Sequence, residues 1–161
     1  MGNRILLGLD NGNKCTKTSE GYIVESGFTK SNSEPISASN LLIYEGKFYS
    51  IGSSRLSVQT DKTINDNTFI LSLPAIADEI YKQGIQGEIK VFLGVGLPIV
   101  HYGKMKHKFR EYFIRDNIKF SFNGSDYAIN IVDCRVYPQG YAAFINIYND
   151  YKNVSAANVI D

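Results

Sequence analysis

The segment Ile5-Leu6-Leu7-Gly8-Leu9-Asp10-Asn11-Gly12-Asn13-Lys14-Cys15-Thr16-Lys17 starts as an unbroken apolar run and ends in a cluster of turn formers. A short apolar run without polar interruption predicts a strand buried on both faces. Asp10-Asn11-Gly12-Asn13-Lys14 predicts a tight turn at its end. A second strand is expected from Cys15 to Ser19. It turns at Glu20-Gly21 and returns as Tyr22 to Thr29, which makes a three-stranded meander at the start of the chain.

Residues 30–66 read as a polar insertion. It carries one hairpin, Asn40–Tyr44 against Lys47–Ile51, over Glu45-Gly46. From Phe69, the positions Phe69, Leu73, Ile76, Ala77 and Ile80 follow a helical stripe that Gly84 ends. Pro74 interrupts the stripe, so the helix either starts near Ser72 with Pro74 in its first turn or kinks there. Glu88 to Gly94 reads as a core strand. Met105, Phe109, Tyr112 and Phe113 mark a second helix. Ile118–Phe122 and Tyr127–Val136 flank Asn123-Gly124, a strong hairpin signal. A third helix is expected after Pro138, with Tyr141, Phe144, Ile145 and Tyr148 on one face. Asn158-Val159-Ile160-Asp161 reads as the start of a strand. The order β-β-β, hairpin, α-β-α-β-β-α-β predicts an α/β layered domain with a mixed sheet.

A chain of 161 residues buries enough surface to fold as one domain without staples. Its apolar fraction of 43% and charged fraction of 20% exclude a disordered chain, a coiled coil and a fibre. The formal net charge of +1 supplies no field for condensing on nucleic acid or an anionic membrane, so neither is expected as a direct partner. The two cysteines, Cys15 and Cys134, make neither a disulfide framework nor a zinc motif and read as small buried hydrophobes. No export signal or long apolar span is visible, and a cytoplasmic location is expected.

Three places carry possible chemistry. Asp10 ends a buried strand, the edge where ligands bind in open α/β sheets. There it could hold magnesium through waters, Gly12 could expose turn amides to phosphate oxygens, and Lys17 could add a point charge. The competing reading is a plain hairpin with a solvated lysine. Gln139, between a strand and a helix, could orient a water at phosphorus, or it could be a surface residue. Asp161 ends an apolar strand much as Asp10 does and could share a metal with it, or it could be a frayed tail. No GxxxxGK[ST] or GxSxG occurs, and Gly94-Val95-Gly96 lacks the third glycine of a dinucleotide fingerprint. His101 and His107 are too far apart in sequence for a shared helix face. Lys104, Lys106, Lys108, Arg110 and Arg115 read as a solvated basic face around the second helix, or as a contact surface.

Taken together, Asp10–Lys17, Val95-Gly96-Leu97-Pro98, Pro138-Gln139-Gly140-Tyr141-Ala142-Ala143 and Val159-Ile160-Asp161 resemble the corresponding segments of the actin-like ATPases. The resemblance is strongest to bacterial plasmid-segregation and archaeal actin-like proteins of the ParM type. It implies a ribonuclease H-like, actin-type domain. It implies that Asp10 sits behind magnesium and that Lys17 touches the β and γ phosphates. Asn13 stands where actin has a phosphate-binding serine, with Asn11, Gly12 and Lys14 completing the loop. Gln139 takes the role of positioning the attacking water, and Asp161 opens the second phosphate loop. Residues 1–157 then form the N-terminal domain and 158–161 the start of a second one that the chain lacks. The expected cofactors are ATP and magnesium. The expected partners are further copies in a filament and a DNA-bound adaptor. Half a clamp should bind ATP weakly and hydrolyse it negligibly. Sugar kinases and chaperone ATPases share the superfold and the first loop, and a non-catalytic interaction domain is the alternative from another class.

Overall fold

The computed structural model describes residues 2–37 and 39–139. The expected third helix and the 158–161 strand lie outside the described residues. Nine strands form one mixed sheet: β1 (Asn3–Asn11), β2 (Cys15–Thr18), β3 (Ile23–Glu25), β4 (Gly27–Ser31), β5 (Leu41–Tyr44), β6 (Lys47–Arg55), β7 (Glu88–Leu97), β8 (Arg115–Phe122) and β9 (Ser125–Pro138). Helices α1 (Asn67–Gln83) and α2 (Ile99–Phe113) flank β7 in sequence. The strand order is β3-β2-β1-β7-β9-β8-β5-β6-β4. β1, β7 and β9 run parallel at the centre, and every other pairing is antiparallel.

The meander begins as expected, but its third strand is broken. β3 pairs with β2, β4 pairs with β6, and Ser26 alone separates them in the chain. The two ends of the sheet are therefore one residue apart, and the sheet curls until they meet. Ser26 donates its amide to the Lys14 carbonyl at 2.9 Å on one side and accepts from the Leu56 amide at 3.3 Å on the other. The hairpin of the 30–66 segment is no separate appendage, because β5 pairs with β8. Asn123 and Gly124 both adopt positive φ, 49° and 80°, the turn that suits the twist of paired strands.

α1 begins before Ser72, so Pro74 lies in the helix interior, outside its first turn. Gly84 ends the helix at φ 64°, and the Ile85 amide reaches back to the Ile80 carbonyl at 3.2 Å. That left-handed cap satisfies carbonyls the helix cannot. α1 and α2 touch, the Tyr112 hydroxyl accepting from the Phe69 amide at 2.9 Å, and so share one face of the sheet. That face carries Ile5, Leu7, Leu9, Val91, Leu93 and Ile131, all buried. Among the described residues β1 is covered on one side: Leu6 is 76% exposed. The run from Ile5 to Leu9 is thus an alternating strand, because Leu6 and Gly8 point to the face opposite both described helices.

Of the cysteines, Cys134 is buried and Cys15 only half-buried. Burial pushes the Cys134 thiol up to about 12. Only the thiolate is reactive. A thiol-specific chromogenic reagent at neutral pH is expected to label Cys15 in the native protein and Cys134 only after denaturation. Equal native labelling would contradict the packing of Cys134.

Candidate functional site

The three central parallel strands end along one edge, at Asn11, Leu97 and Pro138. The backbone continues from β9 directly into Gln139, whose amide donates to the Leu97 carbonyl at 2.8 Å. Its side-chain Nε2 donates to Asp10 Oδ1 at 3.2 Å. Asp10 and Gln139 are 129 positions apart in sequence and meet across β7. Gly96 makes the meeting possible: a Cβ there would lie 3.2 Å from Gln139 Cγ and 3.7 Å from Asp10 Oδ1. Lys17 is the cross-strand partner of Asp10, so both side chains leave the same face of the sheet. No ion pair joins them among the described residues, and Lys17 stays exposed. Asn13 and Lys14 are exposed at the tip of the bend.

The underside of the bend is held from three directions. Asn11 is buried and donates through Nδ2 to Ser72 Oγ on α1 at 3.1 Å. Ser72 in turn donates to the Thr68 carbonyl at 2.7 Å. Ser26 Oγ donates to the Gly12 carbonyl at 2.7 Å and lies 3.2 Å from Thr16 Oγ1. Lys62 donates to the Asn11 carbonyl from the connection between β6 and α1. In a trans peptide the carbonyl and the following N–H point in opposite directions. With the Asn11 and Gly12 carbonyls drawn inward, the amides of Gly12 and Asn13 face outward. A side chain at Gly12 would disturb this, since its Cβ would lie 2.9 Å from the Cys15 carbonyl oxygen.

Burial pushes the Lys62 ammonium below the usual lysine range, and the Asp10 carboxylate pulls it back in part. Neighbouring Asp61 is anchored to α2 by Lys108 at 2.8 Å and accepts from the Thr63 amide and hydroxyl at 2.9 and 2.6 Å. The Lys108 and Thr63 bonds hold the Asp61 carboxyl at about 2.

Of the basic run around α2, Lys108, Arg110 and Arg115 are ion-paired, and Lys108 and Arg110 keep about half of their side chains in solvent. Besides Lys108–Asp61, Arg110 meets Asp133 at 2.9 Å and Arg115 meets Asp66 at 2.7 Å. The carboxylates come from distant segments, so spacing within the helix could not reveal them. Lys62, Ser26 and Ser72 also escaped the sequence reading. Residues 52–66 carry turn formers and little periodicity, and a lone lysine or serine carries no local signal. Asp161 and Gly140 lie outside the described residues. Among the described residues no group of three or more His, Cys, Asp or Glu side chains could hold a metal by itself. No described helix is long and apolar enough to cross a membrane.

The residues present suit a phosphate group with a water-shelled magnesium. Gly12 and Gly96 leave space where a Cβ would press on the Cys15 carbonyl and on Gln139, and Asp10 Oδ1 stands beside Gly96. The buried Asn11 Oδ1 has no hydrogen-bond partner among the described residues.

Comparison with solved structures gives the same fold. The chain is similar to the pSK41 ParM protein in its apo form, at 15% identity and TM-score 0.68, over 86% of this chain and 50% of that one. It is similar to the archaeal actin homologue Ta0583 in complex with ADP, at 19% identity and TM-score 0.66, over 91% of this chain and 47% of that one. It is also similar to AlfA in a filament bound to AMPPNP, at 14% identity and TM-score 0.62, over 89% of this chain and 57% of that one. The chain therefore spans about half the length of these structures. No curated protein matches the sequence. A family model for the N-terminal domain of actin-like proteins matches residues 8–141, most of the chain, and the chain belongs to that family.

Proposed function

We propose that this chain is one jaw of an ATP-dependent, filament-forming actin-like protein of the plasmid-segregation type. The observation that carries the reading is the contact of Gln139 with Asp10 at the shared C-terminal edge of three parallel strands, beside the Asp10–Lys17 bend. That edge is where open α/β sheets bind ligands. The nucleotide-bound and filament states of the similar structures point the same way. Asp10 would hold magnesium through waters, and Asn11, Gly12, Asn13, Lys14 and Lys17 would hold the phosphates. Asp161 would face them from the second phosphate loop.

Bound ATP supplies the phosphoanhydride bond, and magnesium shields its charge. The outward amides of Gly12 and Asn13 orient the phosphate tail, and Lys17 adds positive charge on the same face. Gln139 is held by its backbone bond to Leu97 and by Asp10, so its amide is pre-placed to orient a water. This chemistry is positioning plus electrostatics, and a single jaw loses most of it. A second domain closing over the bend completes the site. Closure favours self-association into filaments, which a DNA-bound adaptor attaches to cargo. The protein works in the cytoplasm.

The test is a ¹⁵N-amide NMR titration of the chain with Mg·ATP. Gly12, Asn13 and Lys17 resonances are expected to shift with weak affinity, and Asp10→Ala is expected to abolish the shifts. Absence of shifts in the wild type sinks the reading. Steady phosphate release by the wild-type chain, lost in Asp10→Ala, would overturn the single-jaw assignment.

A further inference from the structure

Lys62 is 9% exposed, yet among the described residues no carboxylate lies within ion-pair distance of it. Among the described residues its one hydrogen bond goes to the Asn11 carbonyl. A buried ammonium that no carboxylate contacts is costly, the Asp10 carboxylate offsetting only part of that cost, and a methionine of similar length would fill the same space without it. Lys62 also lines a cavity of about 40 Å³ beneath the bend, together with Asn11, Gly12, Asn13, Ser26 and Thr68. The unpartnered Asn11 Oδ1 belongs to the same residue that Lys62 bonds. Asp61, one position earlier, is tied both to α2 through Lys108 and to its own turn through Thr63, so the segment that presents Lys62 is fixed before any ligand arrives.

We propose that Lys62 is a positioning residue of the phosphate site. It clamps the Asn11–Gly12 peptide from below, so that the Gly12 amide stays aimed outward beside the Asn13 amide, whose peptide Ser26 holds. It also places a second positive charge under the bend, opposite the exposed Lys17. The charge is set in a poorly solvated place, where its attraction for an anion above the bend is screened less than that of Lys17. The clamp comes from the β6–α1 connection, so it also couples the bend to the hairpin strands β4–β6. This assignment rests on the phosphate reading of the bend and adds to it a residue from outside the Asp10–Lys17 segment.

The experiment compares Lys62→Met, Lys62→Gln and Lys62→Arg with the wild type in three measurements: thermal melting, amide hydrogen exchange, and the Mg·ATP titration. Lys62→Met is expected to melt close to the wild type, because loss of the bond to Asn11 is offset by relief of the buried charge. Exchange at Gly12 and Asn13 is expected to rise about tenfold, and Mg·ATP affinity to fall about tenfold, the worth of one charge-assisted hydrogen bond. Lys62→Arg, which keeps the charge and a donor, is expected to restore both. Wild-type exchange and affinity in Lys62→Met would overturn the proposal. So would faster exchange spread over the whole domain, which would make Lys62 a packing residue. Should Lys62→Met fail to fold, the same criteria apply to Lys62→Gln. A wild-type chain that ignores Mg·ATP, while the bend still loosens in Lys62→Met, sinks the nucleotide reading and upholds the clamp.

Discussion

Gly27→Ala is expected to destabilise the domain by about 3 kcal/mol, near the upper end for a single added methyl in a packed site. A Cβ at Gly27 would lie 1.9 Å from the Ser54 carbonyl oxygen, 2.5 Å from its carbon and 2.7 Å from Arg55 Cα. All three are backbone atoms, so no side chain can swing aside. β4 and β6 would have to part where Gly27 pairs with Arg55, next to the irregularity between Gly27 and Phe28. The same residue stands beside Ser26, the hinge whose hydroxyl and amide hold the Gly12 and Lys14 carbonyls. The damage therefore reaches the bend. The melting temperature is expected to fall by roughly 6–12 °C. Amide exchange at Gly12 and Asn13 is expected to rise more than at the core of β7. A variant that melts like the wild type would show that β4 and β6 are not in such close contact. Gly46→Ala is the control: its φ of 68° is strained for alanine, but nothing lies within 4 Å of a Cβ there. Its cost is expected to be about 1 kcal/mol.

The sequence revealed the parts of this architecture whose signals are local. The turn after β1 (at Gly12–Lys14, two residues later than the Asp10 start expected), the Glu45-Gly46 and Asn123-Gly124 hairpins, the helical stripe from Phe69 and its stop at Gly84 all depend on residues a few positions apart. The structure has each of them. What sequence could not show depends on long-range pairing. Nothing in Tyr22–Thr29 announces that the strand changes partners at Ser26, because that requires β6 to arrive from the far end of the sheet. The exposure of Leu6 has a similar origin. An apolar run gives the same signal whether one face or both are covered, and among the described residues α1 and α2 cover the Ile5, Leu7 and Leu9 face alone. At the candidate site, Asp10, Lys17 and Gln139 could be named from motifs and resemblance, and the fold brings Asp10 and Gln139 into contact. Lys62 could not be named. Its role comes from folding back 51 positions onto the Asn11 carbonyl, and lysine in a polar connection is ordinarily solvated.

Phe69→Ala is expected to have the larger effect, about 3–5 kcal/mol and a fall in melting temperature of roughly 10 °C. Phe69 is fully buried, and its ring serves several partners at once. Tyr44 packs against it at 5.8 Å between centroids, which ties α1 to β5. The Arg115 guanidinium lies 3.9 Å from the ring centre, held there by Asp66 at 2.7 Å and by the Tyr112 carbonyl at 3.1 Å. Removing the ring leaves a cavity between two helices and a sheet, and strips Arg115 of the face it stacks on. Phe69→Leu separates these effects. It refills most of the volume but cannot recover the cation–π contact, so it is expected to cost about 1–2 kcal/mol. A double-mutant cycle of Phe69→Leu with Arg115→Met should then return a coupling of about 1 kcal/mol. Zero coupling would show that Arg115 acts through Asp66 alone. The bend provides a further readout. Phe69 follows Thr68, whose carbonyl receives the Ser72 hydroxyl, and Ser72 holds the Asn11 side chain. Loosening the first turns of α1 should therefore free Asn11, and Gly12 and Asn13 should exchange faster in Phe69→Ala than in Phe69→Leu. If the two variants protect the bend equally, the start of α1 keeps its place without the ring, and the site is insulated from the core beneath it.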